Sequence, residues 1–202
     1  MWSAMRHART MPIQVDHERQ RDHVTALAAR LVAQEGVAAL TFRRVADAAG
    51  SSTAIVSTYF TGKRDLLLST LRASASRTTV RFEAAMNAGG TLRDCLEAWL
   101  PLDEDRLADW RVIIAFWGVA VADAELARVQ DGHVSRARAR VEKLLHDEGG
   151  PGCETPPDRA RLAQQILALT LGIAVQAVFE PAVAASLPQR ALLADGLARL
   201  TG

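Results

Sequence analysis

Apolar residues along this chain recur at helical spacing, and the two-residue alternation of a half-buried strand is nearly absent. Val24, Leu27, Ala28 and Leu31 form a first stripe, which stops at Gly36. Thr41 is placed to cap a short helix ending near Ala49-Gly50. Ser52 is placed to cap another running to Phe60, where Thr61-Gly62 breaks it. Lys63 then opens a longer helix with Leu66, Leu67, Thr70 and Leu71 on one face, fading at Gly89-Gly90.

Prolines punctuate the remainder. The pattern predicts a short helix over residues 91–100, stopped by Pro101. Asp103, Glu104 and Asp105 start the next, where carboxylates meet the positive end of the helix dipole. Its expected stripe is Trp110, Ile114, Trp117 and Val121. Residues 125–146 read as a charged amphipathic helix ended by Gly149-Gly150-Pro151. Thr155 caps another, with Pro156 in its first turn and Pro181 at its end. Between Ile166 and Val175 that helix is apolar almost all round, so it is expected to be covered on both sides. A last helix starts at Pro188 and carries Leu193, Leu197 and Leu200. These last two helices predict a four-helix interface between two copies across a two-fold axis; the alternative is a monomer that covers its apolar helix itself.

Composition narrows the class. With 202 residues, about half hydrophobic and a quarter charged, the chain suits two helical subdomains with a substantial core. The net charge of +1 hides a division: residues 1–81 carry +6 and residues 82–202 carry −5. A basic first part suits a polyanion and an acidic second part does not. No stretch of uncharged apolar residues long enough for a membrane span stands out, since the best, residues 162–179, contains Gln164, Gln165 and Gln176. With no apolar signal segment in residues 1–15, the expected compartment is the cytoplasm and no membrane partner is expected. Cys95 and Cys153 lie far apart and form no redox or zinc motif. His7, His17, His23, His133 and His146 show no metal-ligand spacing, and no nucleophile–base set or phosphate loop is visible. The expectation is a protein with no enzymatic activity, metal or cofactor.

The informative segment is residues 41–63, TFRRVADAAGSSTAIVSTYFTGK. Two short helices meet there at a tight turn containing Gly50, as a helix-turn-helix requires. Val45, Ala46 and Ala49 can face inward from the first helix, and Ile55, Val56 and Phe60 from the second. Around it stand Glu35-Gly36, Thr41, Val45-Ala46, Ala49-Gly50, Ser52-Thr53, Tyr59-Phe60, Lys63 and Leu66-Leu67. This ordered set resembles the DNA-binding domain of the tetracycline-repressor (TetR) family. Ser51 and Ala54 depart from it, where the family more often has a branched apolar residue and a glycine.

The resemblance implies an all-α, nine-helix fold and a homodimer, which the apolar pattern expects to join through the last two helices. It implies one recognition helix per subunit in the major groove of a palindromic double-stranded operator, and a small molecule that shifts the spacing of the two heads. On this reading residues 1–16 are a tail, which is inert, or lets Arg6 and Arg9 brush DNA, or reflects a start at Met5 or Met11. Residues 17–62 form the helix-turn-helix domain and residues 63–202 the ligand-binding and dimerisation domain. Arg43 is placed to grip guanine O6 and N7, and Arg44 to face solvent or phosphate. Ser52, Thr53, Ala54, Ser57 and Thr58 line the recognition face, with the threonines offering hydroxyls to bases and methyls to thymine. Thr41, Tyr59 and Lys63 are read as phosphate contacts, which set position rather than sequence.

In the second part, residues 110–117 (WRVIIAFW) and the following stretch 118–130 are similar to the choline-responsive BetI-type branch. Trp99, Trp110, Phe116, Trp117 and Phe179 supply either a ligand cage, a core, or both. That branch often carries an acid and an aromatic where this chain has Leu171-Gly172-Ile173-Ala174. The expected effector is therefore hydrophobic or amphiphilic. The alternative is a helical binding or interaction module without specific DNA recognition; a damaged recognition helix would mark it, and here Arg43, Tyr59 and Lys63 are in place.

Overall fold

Caps and glycines set where the helices start and stop. The computed structural model describes residues 12–149, 153–179 and 188–201, which hold nine α-helices, a short 3-10 turn at Val37–Ala39, and no strand. Arg6, Arg9, the Gly150-Pro151 stop and the Pro181 terminator lie outside the described residues. The helices are α1 (Pro12–Glu35), α2 (Phe42–Ala48), α3 (Thr53–Tyr59), α4 (Lys63–Asn87) and α5 (Leu92–Glu97). They continue with α6 (Glu104–Ala120), α7 (Ala124–Glu148), α8 (Pro156–Phe179) and α9 (Gln189–Thr201). Helix α1 starts inside the stretch 1–16 expected to be a tail, so residues 12–16 are helical.

Side chains that can accept from a free N–H sit at most helix starts. Thr41, Ser52 and Asp103 accept from Arg44, Ile55 and Arg106 respectively, and Thr91 and Asp94 form a reciprocal capping box. At the end of α4 the Gly90 N–H reaches Ala85 O and the Gly89 N–H reaches Met86 O, both at 3.0 Å, closing the last carbonyls. A Cβ on Gly90 would lie 2.8 Å from the Ala85 carbonyl oxygen, so no larger residue fits without movement. Helix α5 ends at Glu97 rather than at residue 100. Its continuation tightens into 3-10-type bonds, Trp99 N–H to Leu96 O and Leu100 N–H to Glu97 O, because Leu100 precedes proline and avoids the α-helical region.

Two apolar clusters lie along α4. The first gathers Val32 of α1, Val45 of α2, Val56 of α3 and Leu66 and Leu71 of α4, with Phe116 of α6 among them. The second gathers Phe82 of α4, Leu96, Val141, Ile166 and Leu193. Helix α6 departs from its expected single stripe. Trp110 is buried as expected, but Val112, Phe116 and Ala120 form the deeply buried row, Ile114 and Trp117 are half-buried, and Val121 is 89% exposed. The reason is that α6 packs against α1 and α4 on one side and α7 and α8 on another, so two faces are used and one periodicity cannot describe both.

Helix α8 packs against α7, α9 and α6 through Leu162, Ala163, Ile166, Leu167, Thr170, Ile173, Ala174 and Ala177. By length and apolarity it reaches what a membrane crossing needs, against the sequence expectation. Much of its apolar surface is taken up by these neighbours. The opposite face, with Ala168, Gly172, Gln176 and Phe179, is exposed in the single chain.

Asp109 of α6 is only 2% exposed. It accepts from Arg77 Nε at 2.8 Å and Arg81 Nη2 at 2.9 Å, with a further short contact to Arg77 Nη2. Removing one partner of a buried ion pair leaves the others desolvated and unpaired. Both arginines still reach water here, so Asp109→Ala is expected to cost about 2–3 kcal/mol rather than the full ~3–5 of a dry site. Urea unfolding checks this; an unchanged midpoint would mean that apolar packing alone joins α4 to α6.

Candidate nucleic-acid interface and effector cavity

The turn between α2 and α3 is closed by backbone. Gly50 has φ 58°, the left-handed conformation that glycine adopts without a steric cost. The Ser51 N–H then reaches Ala46 O at 2.9 Å and the Gly50 N–H reaches Asp47 O at 3.2 Å. Val45, Ala46, Val56 and Phe60 close the apolar joint, while Ile55, expected to join them, is 44% exposed. A seven-residue helix has room for only one buried row, and Val56 and Phe60 occupy it.

The outer face of α3 presents Thr53, Ala54, Ile55, Ser57 and Thr58, all exposed, with Ser52 at its start. The Ser57 hydroxyl donates to Thr53 O at 2.8 Å and the Thr58 hydroxyl to Ile55 O at 2.7 Å. Their hydrogens are engaged, so their outward lone pairs are left as acceptors. Thr41, Arg43 and Lys63 flank this face and are exposed, and neither Arg43 nor Lys63 has a carboxylate partner among the described residues. Tyr59 is half-buried, with its ring edge-on to His17 at 4.7 Å.

Arginines brace this head. Arg21 of α1 donates to Tyr59 O at 3.4 Å and Ser69 Oγ at 2.9 Å, and lies over the Phe60 ring at 5.2 Å. Arg44 pairs bidentately with Glu35 at 2.6 and 2.7 Å, which lowers the Glu35 carboxyl and ties α2 to α1. Arg64, one residue into α4, forks onto Asp123 at 2.8 and 2.9 Å and onto Glu125 at 2.8 Å. Asp123 also accepts the Glu125 and Leu126 N–H groups as the cap of α7.

A cavity of about 330 Å³ opens between α4, α6, α7 and α8. Trp99, Trp110 and Trp117 form part of its wall. Trp99 stacks on Phe82 at 4.3 Å, Trp110 donates its indole N–H to Trp99 O at 2.7 Å, and Trp117 stands edge-on to Trp110 at 6.3 Å. The tryptophans are therefore fixed before any ligand arrives. Arg72 of α4 and Arg136 and Arg140 of α7 share the wall with them. A cation over an indole face gains about 0.5–2 kcal/mol. A like charge about 6 Å away costs about 3 kcal/mol at an effective dielectric near 20, and less than about 1 in open water.

Residues 24–70 match the family described as bacterial regulatory proteins, tetR family. Residues 89–202, more than half of the chain, match the family described as BetI-type transcriptional repressor, C-terminal. The chain belongs to the TetR family and carries a BetI-type C-terminal domain. It is thus a DNA-binding transcriptional regulator with a ligand-binding second domain. A transcriptional regulator from Rhodococcus sp. Rha1 superposes with TM-score 0.78 at 23% identity, over 89% of this chain and 95% of that one. A protein of Saccharomonospora viridis described as a transcriptional regulator, solved in complex with choline, gives 0.75 at 21% identity over 88% and 95%. A third, from Pseudomonas aeruginosa PAO1, gives 0.73 at 21% identity over 96% and 92%. At these identities the likeness is one of fold. No curated protein matches in sequence.

Within this TetR-family frame, three of the five aromatics expected at the ligand site meet there: Trp99, Trp110 and Trp117. Phe116 does not; it is fully buried in the cluster under the DNA-binding head. Phe179 does not either; it is 67% exposed at the end of α8. Neighbours in a helical sequence point in different directions, so Phe116 and Trp117 serve different faces. Arg21, Arg64 and Asp123 escaped the sequence reading because their partners lie too far along the chain for any local pattern.

Hydrogen bonds from Arg64, then from the Leu126 and Glu125 backbone, bring the Asp123 carboxyl from 3.8 down to about 2. A carboxyl lowered by folding stabilises the fold above its unfolded value, and that contribution is lost as pH falls through the folded one. Asp123→Asn keeps a capping oxygen and loses the charge. Its urea midpoint is expected to lie below wild type at pH 6, with the gap closing as pH falls from about 4 to about 2. A gap that is equal at both ends of that range would show that charge contributes nothing to this clasp.

Proposed function

We propose that this TetR-family regulator represses transcription by occupying a palindromic operator as a homodimer, and leaves it when a small molecule enters the cavity beside α4. The carrying observation is that one helix, α4, begins at the exposed Lys63 beside the recognition face and lines the cavity through Leu71, Arg72 and Ala75. The role is regulatory rather than catalytic, and its compartment is the cytoplasm, where DNA is accessible.

Arg43 reads a base edge, with a guanidinium fork that suits guanine O6 and N7. Thr53, Ser57 and Thr58 meet bases in the major groove; the outward lone pairs of Ser57 and Thr58 suit the amino groups of adenine or cytosine. Thr41, Tyr59 and Lys63 hold phosphates. Arg44 acts mainly by holding α2 against α1 through Glu35, and Ser52 by capping α3, with Ala54 at the groove floor. Selection of bound fragments from genomic DNA is expected to return a palindrome, and none at low salt would favour a binding module without DNA recognition. Lys63→Ala is expected to weaken all sites alike and to lower the slope of log affinity against log salt by about 1. Arg43→Ala is expected to relax one base position by about 1–3 kcal/mol. A Lys63→Ala effect on one base only, or an Arg43→Ala effect uniform across sites, would overturn these assignments.

The dimer forms through the open face of α8 with α9. Ala168 and Gly172 are four residues apart on that face, so two such helices can approach closely. A Cβ at Gly172 meets nothing within 4 Å, so a side chain there leaves the single chain undisturbed. Gly172→Arg is expected to give a folded monomer by sedimentation with operator affinity lost. A variant that stays dimeric would place the interface elsewhere.

A further inference from the structure

The charged groups on the cavity wall are of one sign. Arg72, Arg136 and Arg140 lie on it with His133, and no aspartate or glutamate is among its described lining residues. The nearby acid, Glu83, is already engaged: Arg140 donates to its Oε1 at 3.1 and 3.3 Å. Arg72 and Arg136 have no carboxylate partner among the described residues and both are exposed. Arg136 Nη2 lies 3.3 Å from His133 Nδ1. A guanidinium can only donate, so this contact is a hydrogen bond in the tautomer whose Nδ1 is unprotonated. Burial first, and then Arg136 and Arg72, hold the imidazole below its ordinary value, so a group already in the wall registers the positive potential.

The rest of the wall is largely apolar, with Leu71, Ala75, Ile113 and Leu167 beside the tryptophans.

We propose that the effector of this cavity is an amphiphilic oxyanion, an apolar body bearing a carboxylate- or phosphate-like head held by Arg72 and Arg136. This rests on the reading of the protein as a ligand-released repressor and names the ligand class. The arginine fork matches an oxyanion bidentately, and the apolar wall takes the body. A quaternary ammonium meets the field of two arginines that have no carboxylate partner among the described residues. The tryptophans that would cage such a cation are held by Phe82, by the Trp99 carbonyl and by one another, so stacking alone explains their arrangement. An oxyanion between Arg72 and Arg136 also bridges α4 to α7, about two and a half turns from Lys63. By linkage, operator DNA and the anion weaken each other by the same factor.

The test uses the full-length dimer and four probes of matched chain: decanoate, decyl phosphate, decanol and decyltrimethylammonium, with choline as a fifth. Binding is followed by calorimetry and tryptophan fluorescence, and operator release by fluorescence anisotropy. One or both anions are expected to bind at least about tenfold more tightly than decanol, and decyltrimethylammonium more weakly than decanol. The tighter anion identifies the head group. In Arg72→Gln/Arg136→Gln the anions are expected to fall to the affinity that decanol shows on the same variant, with the dimer still folded by circular dichroism and sedimentation. Choline or decyltrimethylammonium binding best and releasing the operator would overturn the anion and keep the regulatory reading. Anion binding that ignores both arginines would also overturn it. If no probe binds, or binding leaves operator affinity unchanged, the effector reading of the cavity falls and the anion with it.

Discussion

Helix α4 belongs to both apolar clusters, and this sharing constrains everything else in the molecule. Leu66 and Leu71 are fixed in the cluster under the DNA-binding head, and Phe82 in the cluster of the second domain. Packed interiors are as dense as crystals, so the helix cannot slide in one cluster without disturbing the other. Two sets of arginine–carboxylate contacts then hold it laterally. Arg64 ties its first turn to the α6–α7 corner, and Arg77 and Arg81 tie its middle to Asp109. Between Lys63 and Arg81 the helix runs about 27 Å, so a tilt of about 5° moves its DNA end by about 2 Å. A shift of that size matters to a recognition helix that must meet base edges, and it needs no unfolding. The cavity touches α4 mostly between the two sets of contacts, so in the proposed release mechanism a ligand there has leverage on the tilt.

The parts of this architecture that were legible in the sequence are those specified over four residues or fewer. Thr41, Ser52 and Asp103 cap helices because an oxygen at that position reaches an N–H three residues on. The turn at Gly50 could be read because the chain must adopt positive φ there. The apolar stripe at the start of α4 and that of α9 were legible for a similar reason, since each row, Leu66, Leu67 and Leu71 or Leu193 and Leu197, enters a single cluster. Helix α6 was misread because it is covered on two sides, and a residue's direction there depends on neighbours far along the chain. Trp110 and Trp117, seven apart, do share the cavity wall, whereas Phe116 turns into the other cluster and Val121 faces outward. Phe179 was grouped with the aromatics by composition alone, which carries no direction. The α4–α6 and α4–α7 clasps were invisible for a related reason. Arg64 and Asp123 are each ordinary surface residues until the fold places them together.

The arginines divide by what holds them. Arg21 braces Tyr59, Ser69 and Phe60 and lies 4.0 Å from the Asp65 carboxylate, while Arg44, Arg64, Arg77, Arg81 and Arg140 are held by carboxylates at shorter range, and all join one helix to another. Several of those pairs are partly exposed, so each adds little stability by itself. Their value is geometric: a bidentate fork fixes an angle as well as a distance. Arg43, Lys63, Arg72 and Arg136 are held by no carboxylate among the described residues, and they flank the two places where an outside group can arrive. An unpaired cation on a solvated helix is common and means little alone. Location gives these four their meaning, two beside an exposed helix-turn-helix and two on the wall of an apolar cavity. Because they stay hydrated until something binds, leaving them unpaired costs the folded state little. The chain thus uses some arginines to fix α4 and leaves others without a carboxylate partner beside the helix-turn-helix and on the cavity wall, and α4 runs between these two places.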